Sequence, residues 1–278
     1  MKKDVVLLMG AGQIGMAIVR RVGAGKSIIV GDKKEENARA IAKILTDAGF
    51  EALPLGADLS SRESIKNLIA AGEAQGEIAI LVNAAGLSPS QASIEAILRV
   101  DLYGTAVLLE EVGKVISPGG TGVTISSQSG HRLETLGAEK DALLATTPAE
   151  KLLDLDFLQP GNIADTLRAY QLAKRCNVKR VMAEAVTWGK RGARINSISP
   201  GIIVTPLAID EFNGPRGDFD KRMFASCPAR RPGTADEVAN VAELLLGPQG
   251  SFITGADFLV DGGATAAFFY GDLKQEKG

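Results

Sequence analysis

The chain of 278 residues carries two cysteines, one histidine, one tryptophan and three tyrosines. Cys176 and Cys227 show no C-x-x-C spacing, so neither a structural zinc nor a disulfide framework is expected, and both thiols are expected reduced and buried. Aromatic residues make up 5% of the chain, too few for a surface that stacks bases. Neither sign of charge dominates, with 31 basic against 33 acidic side chains, and no field is available for nucleic acid or an anionic membrane. Long hydrophobic runs are missing as well. The opening stretch MKKDVVLLMGAG holds five apolar residues in a row, too short for a signal-peptide core or a membrane span, which predicts a cytoplasmic protein. No Ser-rich, Pro-rich or charge-rich linker divides the chain, so residues 1–278 are expected to form one domain.

What the chain does have is aliphatic residues in short runs. DVVLLM, SIIVG, EALPL, EIAILV, GVTIS, RINSIS and ADFLVDG read as strands, with helical segments between most of them. That alternation predicts an α/β fold: a doubly wound, Rossmann-type parallel sheet of about seven strands with helices on both faces. Residues 132–162 interrupt the rhythm with helical patches of their own, AEKDALLA and PAEKLLDLDFL, and read as an insert. Four polar or glycine motifs directly follow apolar runs: GAGQIG, NAAG, SSQSG and SPG. In a parallel sheet these positions line the carboxyl edge of the strands, where open α/β sheets bind ligands.

Gly10, Gly12 and Gly15 spell G-x-G-x-x-G between the first strand and a helix whose apolar residues Ile14, Ile18 and Val22 recur at helical spacing. The glycines permit a tight turn, close approach of backbone to a pyrophosphate and close helix-to-strand packing, with Gln13 and Ile14 opening the helix toward the phosphates. Asp32 ends the second strand seventeen residues after Gly15. A carboxylate there hydrogen-bonds an adenosine ribose and repels a 2′-phosphate, which favours NAD. Lys33 and Lys34 keep NADP open, and the run DKKEENARA also lets Asp32 serve as a helix cap.

In AYQLAKR, Tyr170 stands one helical turn ahead of Lys174. Two residues four apart share a helix face, and a cation beside a phenol favours the phenolate, which brings its pKa down from ~10 toward the range of a proton-transfer catalyst.

Taken with the glycine turn, these motifs resemble the short-chain dehydrogenase/reductase family over nearly the whole chain. YQLAK is similar to its Y-x-x-x-K, LVNAAG to its N-N-A-G, ISSQSG to its catalytic serine segment, SPGIIVT to its P-G loop, ITGADFLVDGG to its C-terminal signature and ADLSS to its adenine-side acidic segment. The resemblance implies Tyr170 as acid/base on the substrate oxygen, Lys174 on the nicotinamide ribose, and Ser127 on the substrate carbonyl. It implies Asn83, Ala84 and Gly86 beside the adenosine, Asp58 and Leu59 near the adenine, and Pro200, Ile203 and Thr205 at the carboxamide. The expected activity is interconversion of a secondary alcohol and a ketone with NAD, or NADP, in a homo-oligomer (dimer or tetramer). A dehydratase or epimerase of the same family and a non-catalytic dinucleotide sensor are the alternatives.

The chain departs from the family pattern at four places. Ile14 and Met16 stand where the family's spacing calls for glycine, and Ala84 replaces the second asparagine of N-N-A-G. Asp101, in VDLYG, occupies the position of the catalytic asparagine; ionised, it accepts hydrogen bonds but cannot donate them. Finally, 43 residues separate Ser127 from Tyr170, far more than in the family. The insert is expected to act either as a helical lid on the substrate or as an interface element, with the segment after Thr205 forming the rest of the pocket wall. His131 is expected to make a local hydrogen bond, Arg230 and Arg231 to lie in a solvated turn before a helix capped by Thr234, and Trp188 to fill core. The Phe268–Phe269–Tyr270 cluster is expected to contact a neighbouring subunit.

Overall fold

The computed structural model describes residues 2–205 and 217–271. All seven expected strands are present: β1 (Asp4–Met9), β2 (Ser27–Asp32), β3 (Glu51–Gly56), β4 (Glu77–Asn83), β5 (Thr121–Ile125), β6 (Arg194–Pro200) and β7 (Asp257–Val260). They form one sheet in the order β3-β2-β1-β4-β5-β6-β7, and every neighbouring pair is parallel.

Unbroken aliphatic runs make these strands because both faces of the sheet are covered. In β1 the period of two is visible: Val5, Leu7 and Met9 enter one core, and Val6 and Leu8 enter the other. The first core is closed by α3 (Arg62–Gln75), α5 (Thr105–Val115) and α9 (Thr166–Gly189), through Leu68, Val112 and Ala173. The second is closed by α1 (Gln13–Val22), α2 (Glu35–Asp47) and α11 (Ala235–Leu246), through Ile18, Leu45 and Val238. Each such fully buried aliphatic side chain contributes about 1.5–3 kcal/mol relative to exposure. Strand order reverses between β1 and β4, so their carboxyl ends diverge into a crevice at the chain's first turn.

Two helices matter most for the site. The first is α9, 24 residues long, whose N-cap Asp165 accepts a hydrogen bond from the Arg168 amide at 2.7 Å. Tyr170 and Lys174 occupy its first turns, while Cys176 and Trp188 are buried further along, the indole donating to the Leu109 carbonyl at 3.2 Å. The second begins as α4 (Ile94–Ile97) and widens into a π-helical stretch, Leu98–Gly104, before continuing as α5. The widened turn carries Asp101. Gly104 at its end lies against β3's exit, where a Cβ would come within 2.3 Å of the Leu59 carbonyl oxygen.

The insert is helical, and its leucines pack into the first core. It contains α7 (Ala138–Thr146), the short α8 (Ala149–Leu152) and two 3-10 turns, and it delivers Leu133, Leu144, Leu152 and Leu158 into the first core. Charged contacts fasten its outer side: Arg175 donates to both oxygens of Asp141 at 2.6 and 2.5 Å, and Arg62 and Tyr103 both donate to Glu150, at 2.6 and 3.0 Å. Amphipathic leucines in a segment this long find a larger apolar surface on α9 and α5 than over an open cleft, so it packs beside the site.

Candidate active site

The glycine turn joins β1 to α1. Gly10 has φ +99°, and a Cβ on it would come within 2.4 Å of the Ala85 amide nitrogen, so only glycine lets the β1 and β4 exits meet this closely. A Cβ on Gly15 would meet Leu8 Cδ1 at 2.7 Å, which is the close helix-to-strand packing expected of it. Gly12 differs: a Cβ there would meet nothing within 4 Å, and the first turn of α1 has no side-chain cap. Uncapped amide groups at a helix N-terminus facing open space form a ready anion site.

Asp32 stands between the glycine turn and the start of α2. Its Oδ2 accepts the Ala11 amide at 3.0 Å, and its Oδ1 accepts the Lys34 amide at 2.9 Å and the Asn37 side chain at 3.4 Å. It therefore braces the glycine turn and the start of α2 together, although the N-cap residue of α2 is Lys34. Lys33 is drawn to Asp58, Nζ to Oδ2, at 3.0 Å. Partial burial opposes ionisation of Asp58, but hydrogen bonds from Ser60 and the Lys33 ammonium hold its carboxyl below the ordinary value.

Two of the expected adenosine contacts turn inward. Asn83 is buried and donates to Thr105 Oγ1 at 3.3 Å, and Leu59 is buried too, its side chain in the core and its carbonyl oxygen against Gly104. Both follow from position: each stands where strand or exit loop gives way to a covering helix.

Ser127, Tyr170 and Lys174 meet on the wall of one cleft of about 240 Å³, together with Ile14, Ala84, Gly86, Pro200, Ile203 and Thr205. The Lys174 ammonium lies 5.3 Å from the centre of the Tyr170 ring and donates to the Ile125 carbonyl at 3.4 Å. Ser127 caps α6 (Gln128–His131): its Oγ accepts the Ser129 amide at 3.1 Å, so the hydroxyl proton remains available for donation into the cleft. Ser126, adjacent in sequence, holds α9 in register by donating to the Lys174 carbonyl at 2.8 Å.

Asp101 lies behind this group and is not on the cleft wall. It is fully buried; Oδ1 accepts the Leu87 amide at 2.8 Å, and Oδ2 stands 3.8 Å from Lys174 Nζ without a hydrogen bond. Burial pushes its carboxyl up to about 6, against the pull of the Lys174 charge and the Leu87 amide.

The cleft has residues that motif reading passed over. Leu87, Ser88 and Pro89 line it from the β4 exit, Gln128 and Arg132 from α6 and its end, and Leu167 from α9. Met223 joins them from α10 (Gly217–Ser226). For Leu87, Ser88, Pro89 and Gln128, position directly after motif residues was the available signal, and Met223 belongs to the segment after Thr205 from which pocket wall was expected. Among the described residues, Arg132 is the only member of 132–162 on the wall. Of the wall expected after Thr205, residues 206–216 lie outside the described residues.

The remaining sequence expectations concern local structure. His131 pairs with Asp257, Nε2 to Oδ2, at 2.7 Å, a contact 126 positions apart that no motif signals. Arg231 pairs with Glu237 at 2.6 Å in an exposed turn, and Thr234 forms a capping box with Glu237. Both cysteines are free and buried, and burial pushes the Cys176 thiol up to about 12. Phe269 and Tyr270 are exposed on α12 (Ala264–Tyr270). No group of three or more metal-ligating side chains occurs among the described residues, and no described helix is long and apolar enough to cross a membrane.

Comparison with known proteins gives the site its context. Residues 4–138 match the short chain dehydrogenase family and residues 135–265 the enoyl-(acyl carrier protein) reductase family. The short-chain dehydrogenase/reductase bsc3 of Alternaria brassicicola is 38% identical over 267 residues, covering 96% of this chain and 97% of that protein. The D-threitol dehydrogenase of Mycolicibacterium smegmatis is 30% identical over 271 residues, with coverage of 94% and 92%. A short chain dehydrogenase from Burkholderia cenocepacia, solved in complex with NADP, superposes with a TM-score of 0.72 at 24% identity, covering 95% of this chain and 97% of that one. The chain belongs to the short-chain dehydrogenase/reductase family.

Proposed function

We propose that this protein is a nicotinamide-dependent oxidoreductase that interconverts a secondary alcohol and a ketone, with NAD as the preferred cofactor. The observation that carries this reading is the meeting of Ser127, Tyr170 and Lys174 on one cleft wall, with the lysine ammonium 5.3 Å from the phenol ring.

The cradle suits a dinucleotide. Gly10 and Gly15 close the turn sterically, Gly12 leaves space, and the uncapped start of α1, at Gln13 and Ile14, offers amide groups to a pyrophosphate. Asp32 would take the adenosine ribose, and Asp58, next to the buried Leu59, would border the adenine. Asn83, Ala84 and Gly86 would flank the adenosine side, and Pro200, Ile203 and Thr205 would hold the carboxamide. The Burkholderia relative was solved with NADP. Here the carboxylate of Asp32 opposes a 2′-phosphate, and Lys33, the adjacent cation, is engaged by Asp58. A bound nicotinamide supplies a two-electron hydride acceptor or donor.

The chain's own groups manage the proton. In oxidation, Tyr170 as phenolate removes the hydroxyl proton of the alcohol, and in reduction the phenol returns it to the carbonyl oxygen. Lys174 favours the phenolate by charge. Ser127, whose Oγ already accepts the Ser129 amide, donates its proton to the substrate oxygen and stabilises charge developing there. A panel of secondary alcohols, followed at the absorbance of reduced nicotinamide with NAD and NADP in parallel, tests the reading. It predicts turnover with at least one alcohol and faster turnover with NAD. Tight dinucleotide binding without turnover of any alcohol or ketone would favour a sensor.

A further inference from the structure

The buried carboxylate behind Lys174 calls for its own account. A carboxylate and an ammonium, 0% and 5% exposed, face each other at 3.8 Å, and Asp101 Oδ2 has no hydrogen-bond partner. No hydrogen bond rewards the burial of this oxygen, so its main interaction is electrostatic. Lys174 is the charged group that acts on it. The other neighbours that touch it are neutral: the Leu87 amide from the β4 exit, and the Asn177 side chain, which reaches the Asp101 carbonyl at 2.9 Å from α9. The same ammonium lies 5.3 Å from the centre of the Tyr170 ring. Gly86 covers the pair from the cleft without a side chain; a Cβ there would lie 3.2 Å from Lys174 Nζ and 3.5 Å from Asp101 Oδ1. Lys174 is thus shared between an acid that cancels its charge and a phenol that its charge acidifies.

Resting on the proton-transfer role of Tyr170 given above, we propose that Asp101 is a positioning residue that restrains the acidity of Tyr170 by partly neutralising Lys174. With the carboxylate ionised, less of the lysine's field reaches the phenol, and Tyr170 gives up its proton at higher pH than the lysine alone would allow. With Asp101 neutral, the full charge of Lys174 acts on the phenol. A neutral amide at this position would leave the lysine's charge uncompensated. The chain therefore gives up phenolate population at lower pH for a phenol that stays protonated, and able to donate to a carbonyl, over a wider pH range. Because burial holds Asp101's own titration near 6, the restraint is in force throughout the neutral and alkaline range.

Tyrosinate absorbance, titrated without cofactor, tests this directly. Subtracting the curve of Tyr170→Phe from that of the otherwise identical protein isolates Tyr170 from Tyr103 and Tyr270. Asp101→Asn is expected to move the isolated midpoint about one pH unit lower. The ascending limb of kcat/KM for alcohol oxidation is expected to move by the same amount. Asp101→Ser, which removes the charge while leaving a hydroxyl near the Leu87 amide, is expected to do likewise, and circular dichroism selects whichever variant is folded. A midpoint that stays put or rises in the folded variant overturns the proposal, as does a fall in kcat with no movement of the pH limb, the mark of a merely structural role. If the parent protein's Tyr170 titrates at its ordinary value, the acid/base assignment itself fails. A depressed midpoint common to parent and variant sinks only the role of Asp101.

Discussion

The Oδ2 of Asp32 accepts the amide hydrogen of Ala11 at 3.0 Å, so the carboxylate that ends β2 is tied to the glycine turn that follows β1. The same group also accepts the Lys34 amide at 2.9 Å, so it fixes the turn and the start of α2 together. Replacing it with Ser keeps a hydrogen-bonding oxygen but removes the charge. Asp32→Ser is expected to weaken NAD binding about tenfold, roughly 1.4 kcal/mol, and to strengthen NADP binding, so that preference narrows or reverses. Fluorescence titration with each cofactor checks this. Unchanged preference would mean that Lys33 and Lys34, not Asp32, set the choice.

The insert is expected to govern stability and to leave substrate recognition alone. Leu144 is fully buried, and its truncation to Ala should cost about 2–5 kcal/mol in urea unfolding. Asp141→Ala, which leaves Arg175 without its bidentate partner at a part-exposed site, should cost about 1 kcal/mol. KM for a turned-over alcohol should stay within about twofold in both, since neither residue lines the cleft. A several-fold rise in KM at unchanged stability would restore the lid reading.

Asp101 gives stability a pH dependence of unusual sign for a carboxylate. Its pKa is raised from 3.8 to about 6 by burial, so between these values the unfolded chain has released the proton while the folded one retains it. Stability from this group is therefore complete below about pH 4, falls as pH rises to about 6, and is then lower by about 3 kcal/mol. Asp101→Asn should remove that decline: the variant should match the parent near pH 4 and exceed it by about 1–3 kcal/mol at pH 7, as read from urea unfolding at the two pH values. A variant less stable at pH 7 would show that Lys174 depends on its partner's charge more than burial penalises it.

Much of this was legible in the sequence, for physical reasons that differ by element. The inner strands β1, β2 and β4 could be read because burial on both faces demands aliphatic runs such as VVLLM and IAILV. Gly10 and Asp32 were legible because one needs a positive φ and the other a fixed offset along the chain. Other features depend on contacts between residues remote in sequence. Gly104, at the end of the π-helical turn that carries Asp101, lies against the Leu59 backbone, and the His131–Asp257 contact joins α6 to β7. Nor does spacing show that Asn83 turns inward to Thr105 or that the leucines of the insert prefer α9 to the cleft.

The central claim is that Tyr170 carries the proton while the rest of the cleft holds cofactor and substrate. The most direct measurement is the turnover of Tyr170→Phe with an alcohol that the parent oxidises, alongside its NAD affinity by fluorescence titration. Loss of about 10²–10⁴-fold in kcat with affinity within a few fold of the parent is the predicted result. Turnover within a few fold of the parent would contradict it.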